Sequence, residues 1–205
     1  MGVRVDKVSL EEAVELVSGW VKQEKKRQIV TVNPEFVMLA QKDEEFKKII
    51  NQADLNICDG EGLRLKNKDL IRVAGRDLML ELIKKGYKTV LVGGKSEVAE
   101  KAAKKLGVFG MSEPNIEKIN QIKPDLLFVA LGMGKQEKWI AKNFTKLKVK
   151  VAMGVGGALD QVVKPWLRAP KILQLIGLEW LWRLAVQPWR IKRQWQLVKF
   201  VSKIK

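Results

Sequence analysis

The sequence of 205 residues predicts an α/β fold, in which a mostly parallel sheet carries helices on both faces and a helical appendage follows. Two observations lead to this prediction. Short apolar runs alternate with amphipathic stretches, and at least four of these runs are apolar throughout rather than at every second position. Continuous apolar runs are typical of strands buried on both faces, so we expect a Rossmann-like core whose ligands bind beyond the carboxyl ends of the strands.

The elements of the core follow from hydrophobic periodicity and from capping residues. Ser9 is placed to cap a first helix over 10–22, with Glu12 in position for a capping box. A single long helix over 34–53 is expected to begin at Pro34, because proline suits the first helical position. The other predicted elements, in chain order, are strands over 28–32, 54–59, 89–94, 125–134 and 150–157 and helices over 60–68, 76–86, 96–107, 113–122 and 135–144.

The composition changes at about residue 164, which divides the chain into two predicted parts. Residues 1–163 form the α/β catalytic core, and residues 164–205 form a basic, Trp-rich helical appendage. The appendage contains ten Lys or Arg residues against one acid, Glu179, and five of the seven tryptophans. Its pattern indicates two amphipathic helices, over about 171–186 and 188–203.

The charge balance points to anionic partners and the composition excludes several kinds of site. Lys and Arg total 39 against 23 Asp and Glu, for a formal net charge of +16. Such a surplus favours nucleic acid, acidic lipid headgroups or phosphorylated substrates. With one cysteine, Cys58, and no histidine, the chain cannot form an internal disulfide, a zinc site or a histidine-dependent nucleophile. Acid–base chemistry therefore falls to Asp, Glu, Lys or Tyr87.

No segment of the sequence has the pattern of a signal peptide or a transmembrane helix. The first residues lack an apolar core, and no apolar run approaches the roughly 20 residues that a spanning helix needs. We expect a cytoplasmic protein whose contact with the membrane is peripheral.

Polar residues follow the first predicted strand. Thr31 and Asn33 stand at its end, just ahead of a helix whose free N–H groups would suit a phosphate. Asn33 could equally serve only as the cap of that helix.

A carboxylate ends the second predicted strand. Asp59 and Gly60 follow a buried strand in a Gly-x-Gly turn, where partial burial would raise the pKa of Asp59 towards the range of a general base. The spacing alone favours the simpler interpretation, a turn aspartate that bonds the backbone after it. Further along, Arg72 and Arg76 flank a glycine turn and could bind phosphate oxygens, although a solvated arginine is the commoner outcome.

Glycine-rich turns end the later strands and provide further candidate binding residues. Gly94 lies in a turn that lacks the dinucleotide pattern, and the turn before Lys135 does not match the Walker pattern. Each turn alone is weak support for nucleotide binding, but together they line one edge of the sheet. The candidate substrate-binding residues are Asn33, Gly60, Gly94, Gly132, Lys135, Gln136, Gly156 and Asp160.

Read together, these segments resemble the WecG/TagA/CpsF family, glycosyltransferase family 26. The resemblance runs in order through TVNPEF, ADLNICDGEGL, RVAGRDL, VLVGGK, PDLLFVALGMGKQEKWI, GVGGALD and RAPKILQLIGLEWLWRL, from about residue 3 to 200. The combination of DG-x-G, R-x-x-G-x-DL, KQE-W and RAPK…GLEWL-RL is specific to that family.

The resemblance implies an inverting, metal-independent transfer that uses no cofactor. N-acetylmannosamine or a related sugar would pass from a UDP donor to an undecaprenyl-diphosphate-linked sugar, in synthesis of wall teichoic acid or another surface polysaccharide. It implies Asp59 as the base, with Thr31 beside it and Arg72 neutralising a diphosphate. Gln136 and Asp160 match donor-pocket positions, and family members are expected to self-associate.

The basic appendage has two interpretations. In the family it is thought to dock on the inner face of the membrane and complete the active site, with Arg183, Arg190, Lys192 and Arg193 facing anionic headgroups or the lipid diphosphate. Alternatively, its apolar stripe packs on the sheet as ordinary core.

Two rival functions remain at this stage. A nucleotide- or NAD-binding oxidoreductase could use the same sheet, although the G-x-G-x-x-G pattern is missing. Nucleic-acid binding is suggested by charge alone and gives the polar strand ends no role, so nucleic acid is not an expected partner.

Overall fold

A computed structural model of the chain describes residues 2–175 and 177–188, together with residues 191, 200 and 202. The strands of this described part are β1 (Arg27–Val32), β2 (Leu55–Cys58), β3 (Thr89–Gly93), β4 (Phe109–Met111), β5 (Leu126–Ala130) and β6 (Val151–Gly154). They form one sheet in the order β2-β1-β6-β5-β3-β4, and every neighbouring pair is parallel. The predicted Rossmann-like α/β fold is confirmed.

Helices cover both faces of this sheet. They are α1 (Leu10–Val21), α2 (Pro34–Ala40), α3 (Glu44–Gln52), α4 (Gly75–Lys84), α5 (Val98–Leu106), α6 (Ile116–Ile122), α7 (Lys135–Asn143), α8 (Ala158–Val163), α9 (Lys171–Leu175) and α10 (Glu179–Val186). Helices α1, α4, α5 and α8 pack on one face, and α2, α3, α6 and α7 pack on the other. All residues of β3 and β5 are buried, which explains their unbroken apolar pattern.

The first helix forms for the reason that the sequence suggests. The hydroxyl of Ser9 accepts a hydrogen bond from the Glu12 N–H at 3.1 Å, and the Glu12 carboxylate accepts one from the Ser9 N–H at 2.7 Å. This capping box fixes the start of α1. The helix then buries a face that includes Ala13, Val17 and Trp20.

The prediction of one helix over 34–53 is wrong. The structure has two helices here, because the Asp43 carboxylate accepts a hydrogen bond from the Phe46 N–H at 2.9 Å and caps a second helix, α3. The rings of Phe36 and Phe46 then meet at 5.4 Å between centroids, one from each helix. The hydrophobic pattern continues across the break, so periodicity alone does not reveal it.

Strand β4 is absent from the sequence prediction. It has three residues, lies at the edge of the sheet beside β3, and exposes half of its Phe109 side chain. Gly110 is required there, since a Cβ atom would lie 2.6 Å from both the Ala103 Cβ and the Ala99 carbonyl oxygen of α5. A strand this short, with glycine at its centre, has no hydrophobic period to detect.

The appendage also departs from its prediction. The expected helix over 171–186 is broken at Gly177, whose φ of +75° interrupts the helical backbone between α9 and α10. Most of the second expected helix, over 188–203, lies outside the described residues, although Phe200 is 1% exposed and packs in the core beside α2 and α3. The appendage therefore contributes at least one side chain to the core. Within the described ranges, no helix is both long enough and apolar enough to cross a bilayer.

Candidate active site

A cavity of about 700 Å³ opens beyond the carboxyl ends of β1, β2, β3, β5 and β6. This volume lies within the range of about 300–1,000 Å³ that is typical of small-molecule sites. The predicted site residues that line it are Thr31, Asn33, Asp59, Gly94, Gly132, Gln136, Gly156, Asp160 and Arg183. Gly60, Arg72 and Lys135 are not among its lining residues. The parallel sheet thus brings most of the predicted strand-end residues to one cavity.

Asp59 directly follows β2 and lines the cavity. Its backbone N–H donates to the Val32 carbonyl at 2.7 Å, and its carboxyl group accepts a hydrogen bond from the Gly75 N–H at the start of α4. Burial raises the pKa of Asp59 to about 6, in opposition to Arg183 and Arg72, which lower it, while Glu179 adds to the rise. At neutral pH the group is a carboxylate that is more basic than an ordinary aspartate, as a general base requires.

Thr31 and Asn33 lie beside Asp59 at the end of β1. The Thr31 hydroxyl donates to the Gly154 carbonyl at 3.4 Å, which ties β1 to the neighbouring β6. Asn33 caps α2, because its side-chain oxygen accepts a hydrogen bond from the Phe36 N–H at 3.1 Å. The cap and the cavity wall are therefore the same side chain.

The Glu179 carboxylate bridges two arginines next to Asp59. It pairs with the Arg72 guanidinium and accepts a hydrogen bond from Arg183 at 2.7 Å, one turn along α10. Glu179 and Arg183 line the cavity, whereas Arg72 lies behind them and forms a β-bridge with Cys58. The appendage thus supplies part of the cavity wall and part of the electrostatic field at Asp59.

A second carboxylate organises two further arginines. Asp77 accepts a hydrogen bond from Arg168 at 2.7 Å and another from Arg76 at 3.3 Å, and both arginines line the cavity. Asp77 lies inside the first turn of α4, whose N-cap residue is Ala74. The Nε–H donors of Arg72, Arg76 and Arg183 are buried and have no acceptor among the described residues. Buried donors of this kind need an acceptor, and oxygens of an anion would serve.

A buried chain of hydrogen bonds shapes the opposite wall. The Glu137 carboxylate accepts from the Gly134 N–H at 2.8 Å and from the Gln136 side-chain amide at 2.7 Å. The Gln136 side-chain oxygen in turn accepts from the Gly156 N–H at 3.1 Å. Burial raises the pKa of Glu137 to about 7, although these hydrogen bonds lower it. Gly154 passes so close that a Cβ there would lie 2.5 Å from both side chains.

The comparison with known proteins decides the family. The sequence matches the family described as "Glycosyl transferase WecG/TagA/CpsF family" over residues 1–204. A curated relative, the N-acetylglucosaminyldiphosphoundecaprenol N-acetyl-beta-D-mannosaminyltransferase of Staphylococcus aureus strain MRSA252, is 31% identical over 229 residues, covering 100% of this chain and 90% of the relative. The protein of the same name from strain NCTC 8325 / PS 47 has the same identity and coverage.

The chain belongs to the WecG/TagA/CpsF family. It is a glycosyl transferase, and the oxidoreductase and nucleic-acid interpretations give way to this assignment.

Several polar residues of this glycosyl transferase escaped the sequence prediction. Glu179 stood out only as the single acid of a basic segment, and Arg168 and Lys95 only as members of family motifs. Glu137 is the third residue of α7, and its carboxylate accepts a hydrogen bond from the N–H of the N-cap residue Gly134. Of the residues predicted to face lipid, Arg183 lines the cavity, while Arg190, Lys192 and Arg193 lie outside the described residues.

Gly75 lets α4 approach β1 beside the cavity, between the lining residues Ala74 and Arg76. A Cβ at this position would lie 2.6 Å from the Thr31 Cγ2 methyl group. We expect Gly75→Ala to lower the free energy of unfolding by about 1–3 kcal/mol, as overpacked cores commonly do. Adding Thr31→Ser should restore most of that loss, because serine lacks the methyl group.

Urea denaturation of the two single variants and the double variant measures this coupling. Gly19→Ala is a suitable control, since a Cβ there would meet nothing within 4 Å. Additive losses in the double variant would contradict the steric explanation.

Proposed function

We propose that this glycosyl transferase moves N-acetylmannosamine or a related sugar from a UDP donor to a sugar on an undecaprenyl-diphosphate carrier. The curated relatives bear the name N-acetylglucosaminyldiphosphoundecaprenol N-acetyl-beta-D-mannosaminyltransferase, and 90% of the length of each is matched by the chain. The proposed product would serve wall teichoic acid or another surface polysaccharide.

The observation that carries the proposal is the position of Asp59 between two different surroundings. Towards the other strands of the sheet, the cavity is lined by polar strand ends that could hold a donor nucleotide and its sugar. Next to Asp59 are arginines, of which Arg76 and Arg183 line the same cavity while Arg72 lies behind it, and all three have buried Nε–H donors that need acceptors. A base between a sugar site and a diphosphate site suits transfer to a diphosphate-linked acceptor.

In the proposed reaction, Asp59 takes the proton from the acceptor hydroxyl, whose oxygen attacks the anomeric carbon of the donor sugar. The bond between that carbon and the phosphate oxygen breaks, and UDP leaves with the electron pair. Inversion at the anomeric carbon follows from this single displacement. Arginine and lysine side chains supply the positive charge, so the proposed reaction requires no metal ion or other cofactor.

The appendage is proposed to hold the enzyme at the inner face of the cell membrane. Its described part exposes large apolar side chains, namely Trp166, Ile172, Trp180, Leu181 and Ile191. Tryptophan favours the membrane interface, and basic residues favour an anionic leaflet. The acceptor's diphosphate would then meet the arginines from the membrane side. Self-association, as the family resemblance suggests, is part of the proposal without a residue assigned to it.

The proposal predicts that UDP release requires both a UDP-sugar and a lipid-diphosphate-linked sugar. The acceptor is incorporated into vesicles with or without an anionic lipid, and UDP is measured over time for a panel of UDP-sugars. We expect no release when either substrate is omitted, and a higher initial rate on anionic vesicles. UDP release that is independent of acceptor would contradict the transfer, and equal rates on both vesicles would contradict the electrostatic part of membrane docking.

A further inference from the structure

Lys95 differs from the other cations that line the cavity. Arg76, Arg168 and Arg183 each pair with a carboxylate, either Asp77 or Glu179. Lys95 is exposed, and its ammonium group has no ion pair or hydrogen bond with any residue in the part of the chain that the structure describes. Its charge is therefore available to a ligand in the cavity.

The loop that carries Lys95 holds an unusual backbone. Residues on both sides of it have positive φ: +80° at Gly94, +54° at Ser96 and +58° at Glu97. Residues other than glycine rarely adopt this strained conformation, and it is concentrated at functional sites such as ligand clamps. The loop is anchored at both ends, because the Gly94 N–H donates to the Ala130 carbonyl at 2.9 Å and the Lys101 ammonium donates to the Ser96 carbonyl at 3.0 Å.

The strand order places Lys95 far from Asp59. Asp59 follows β2 and Lys95 follows β3, and β1, β6 and β5 lie between these two strands. Four spacings of about 4.8 Å put the two strand ends about 19 Å apart along the sheet edge. The paired arginines lie at the Asp59 end, since Arg72 and Arg183 both lower the pKa of Asp59. Among the described lining residues, the cavity thus has a cluster of arginines at one end and one lysine, Lys95, at the other.

The geometry of a single displacement at the anomeric carbon places a different substrate group at each end of the cavity. In a single displacement, the attacking oxygen and the leaving oxygen lie on opposite sides of the anomeric carbon. The base lies about 3 Å from the attacking hydroxyl, which itself lies about 3 Å from the anomeric carbon. With Asp59 as the base, the leaving phosphate lies on the far side of the sugar, towards β5 and β3. The arginines remain on the acceptor side.

We propose that Lys95 binds the terminal phosphate of the donor's nucleoside diphosphate, and stabilises the charge that this phosphate gains as the bond to the sugar breaks. This inference rests on the proposed function. It divides the cations of the cavity between two diphosphates: the arginines near Asp59 for the one on the lipid carrier, and Lys95 for the one on the leaving nucleotide. A lysine suits this position because its compact charge acts without a fixed fork geometry.

Equilibrium binding of UDP and UMP to the full chain tests the assignment without requiring turnover. Lys95→Met is expected to weaken UDP binding on the order of tenfold to a hundredfold, the effect of one hydrogen bond to a charged group. UMP, which lacks the terminal phosphate, should bind within about twofold of its affinity for the unaltered protein. Lys95→Arg should recover most of the UDP affinity, and Lys104→Met, an exposed lysine of α5 that does not line the cavity, should bind UDP normally.

Steady-state kinetics separates the two diphosphates. Lys95→Met is expected to raise the KM for the UDP-sugar and to lower kcat, while the KM for the lipid-linked acceptor stays within about twofold. Unchanged UDP binding, equal weakening of UDP and UMP, or an increase confined to the acceptor KM would each overturn the assignment of Lys95. If the unaltered protein binds UDP and Lys95→Met binds it equally well, the proposed transferase stands and this inference fails. If the unaltered protein binds no UDP, both are wrong.

Discussion

Asp59→Asn is expected to lower kcat by about two to four orders of magnitude, the usual contribution of a positioned general base. Asparagine keeps the size of the side chain and can still accept the hydrogen bond from the Gly75 N–H. It cannot take a proton from the acceptor hydroxyl. The measurement is UDP release at saturating concentrations of both substrates.

The pH dependence of kcat/KM in the unaltered enzyme is a second test of Asp59 as the base. The pKa of Asp59 is raised to about 6, so the carboxylate, which the proposed reaction requires as its base, is the main form above pH 6 and the protonated form prevails below it. We expect kcat/KM to fall about tenfold per pH unit on the acid side of pH 6, and this acid limb to disappear in Asp59→Asn. A limb near pH 4, the ordinary range of aspartate, would contradict the burial of Asp59.

The thermal stability of Asp59→Asn shows whether a loss of activity comes from the missing base or from unfolding. Because the folded protein holds the pKa of Asp59 above its ordinary value, the contribution of this group to stability is fully present below that ordinary value and is lost as the pH rises through 6. Asp59→Asn removes the buried charge, so its Tm at pH 8 is expected to equal or exceed that of the unaltered protein. Asp69→Asn, an exposed aspartate outside the cavity, serves as the control and should change neither kcat nor the pH profile.

The residues that sequence reasoning could predict share a physical property: their positions follow from local pattern and from the topology of parallel sheets. Thr31 lies near the end of β1, Asp59 directly follows β2, and Gly156 lies two residues beyond β6; the carboxyl ends of parallel strands meet at one edge. The chain-order pattern therefore predicts their proximity without any knowledge of packing. For the fold, the same reasoning succeeds for β3 and β5, whose burial on both faces leaves an unbroken apolar run.

What escaped prediction depends on contacts between distant parts of the chain. Arg72 pairs with Glu179, which is 107 residues away, and no local pattern relates the two. The family resemblance implies that Arg72 neutralises a diphosphate. In the structure, Arg72 forms an ion pair with Glu179, a carboxylate of the appendage. The prediction missed the break between α2 and α3 for the opposite reason. The Asp43 cap is a local signal, but the hydrophobic period continues across it and conceals it.

The appendage brings two opposite charges to Asp59, those of Arg183 and Glu179. Arg183→Met is expected to lower kcat/KM for the lipid-linked acceptor on the order of a hundredfold, as loss of a charged group beside the reacting centre commonly does. It should also move the acid limb above pH 6, because Arg183 lowers the pKa of Asp59 and its loss removes that stabilisation of the carboxylate.

Glu179→Gln is expected to move the acid limb in the opposite direction, below pH 6. Glu179 raises the pKa of Asp59, so removing its negative charge stabilises the Asp59 carboxylate. The same change frees Arg72 and Arg183 from their shared partner. The measurement is the pH profile of kcat/KM for both variants at one ionic strength, since screening would reduce both shifts.

The matched control is Glu61→Gln. Glu61 forms the same kind of ion pair with Arg64, at 2.8 Å, and does not line the cavity, so its pH profile should be that of the unaltered enzyme. Shifts of the two appendage variants in the same direction would mean that they act through the position of α10 rather than through charge. Opposite shifts with a silent control are what an electrostatic role requires, and they would make Asp59 a base whose strength depends on α10 lying against the core.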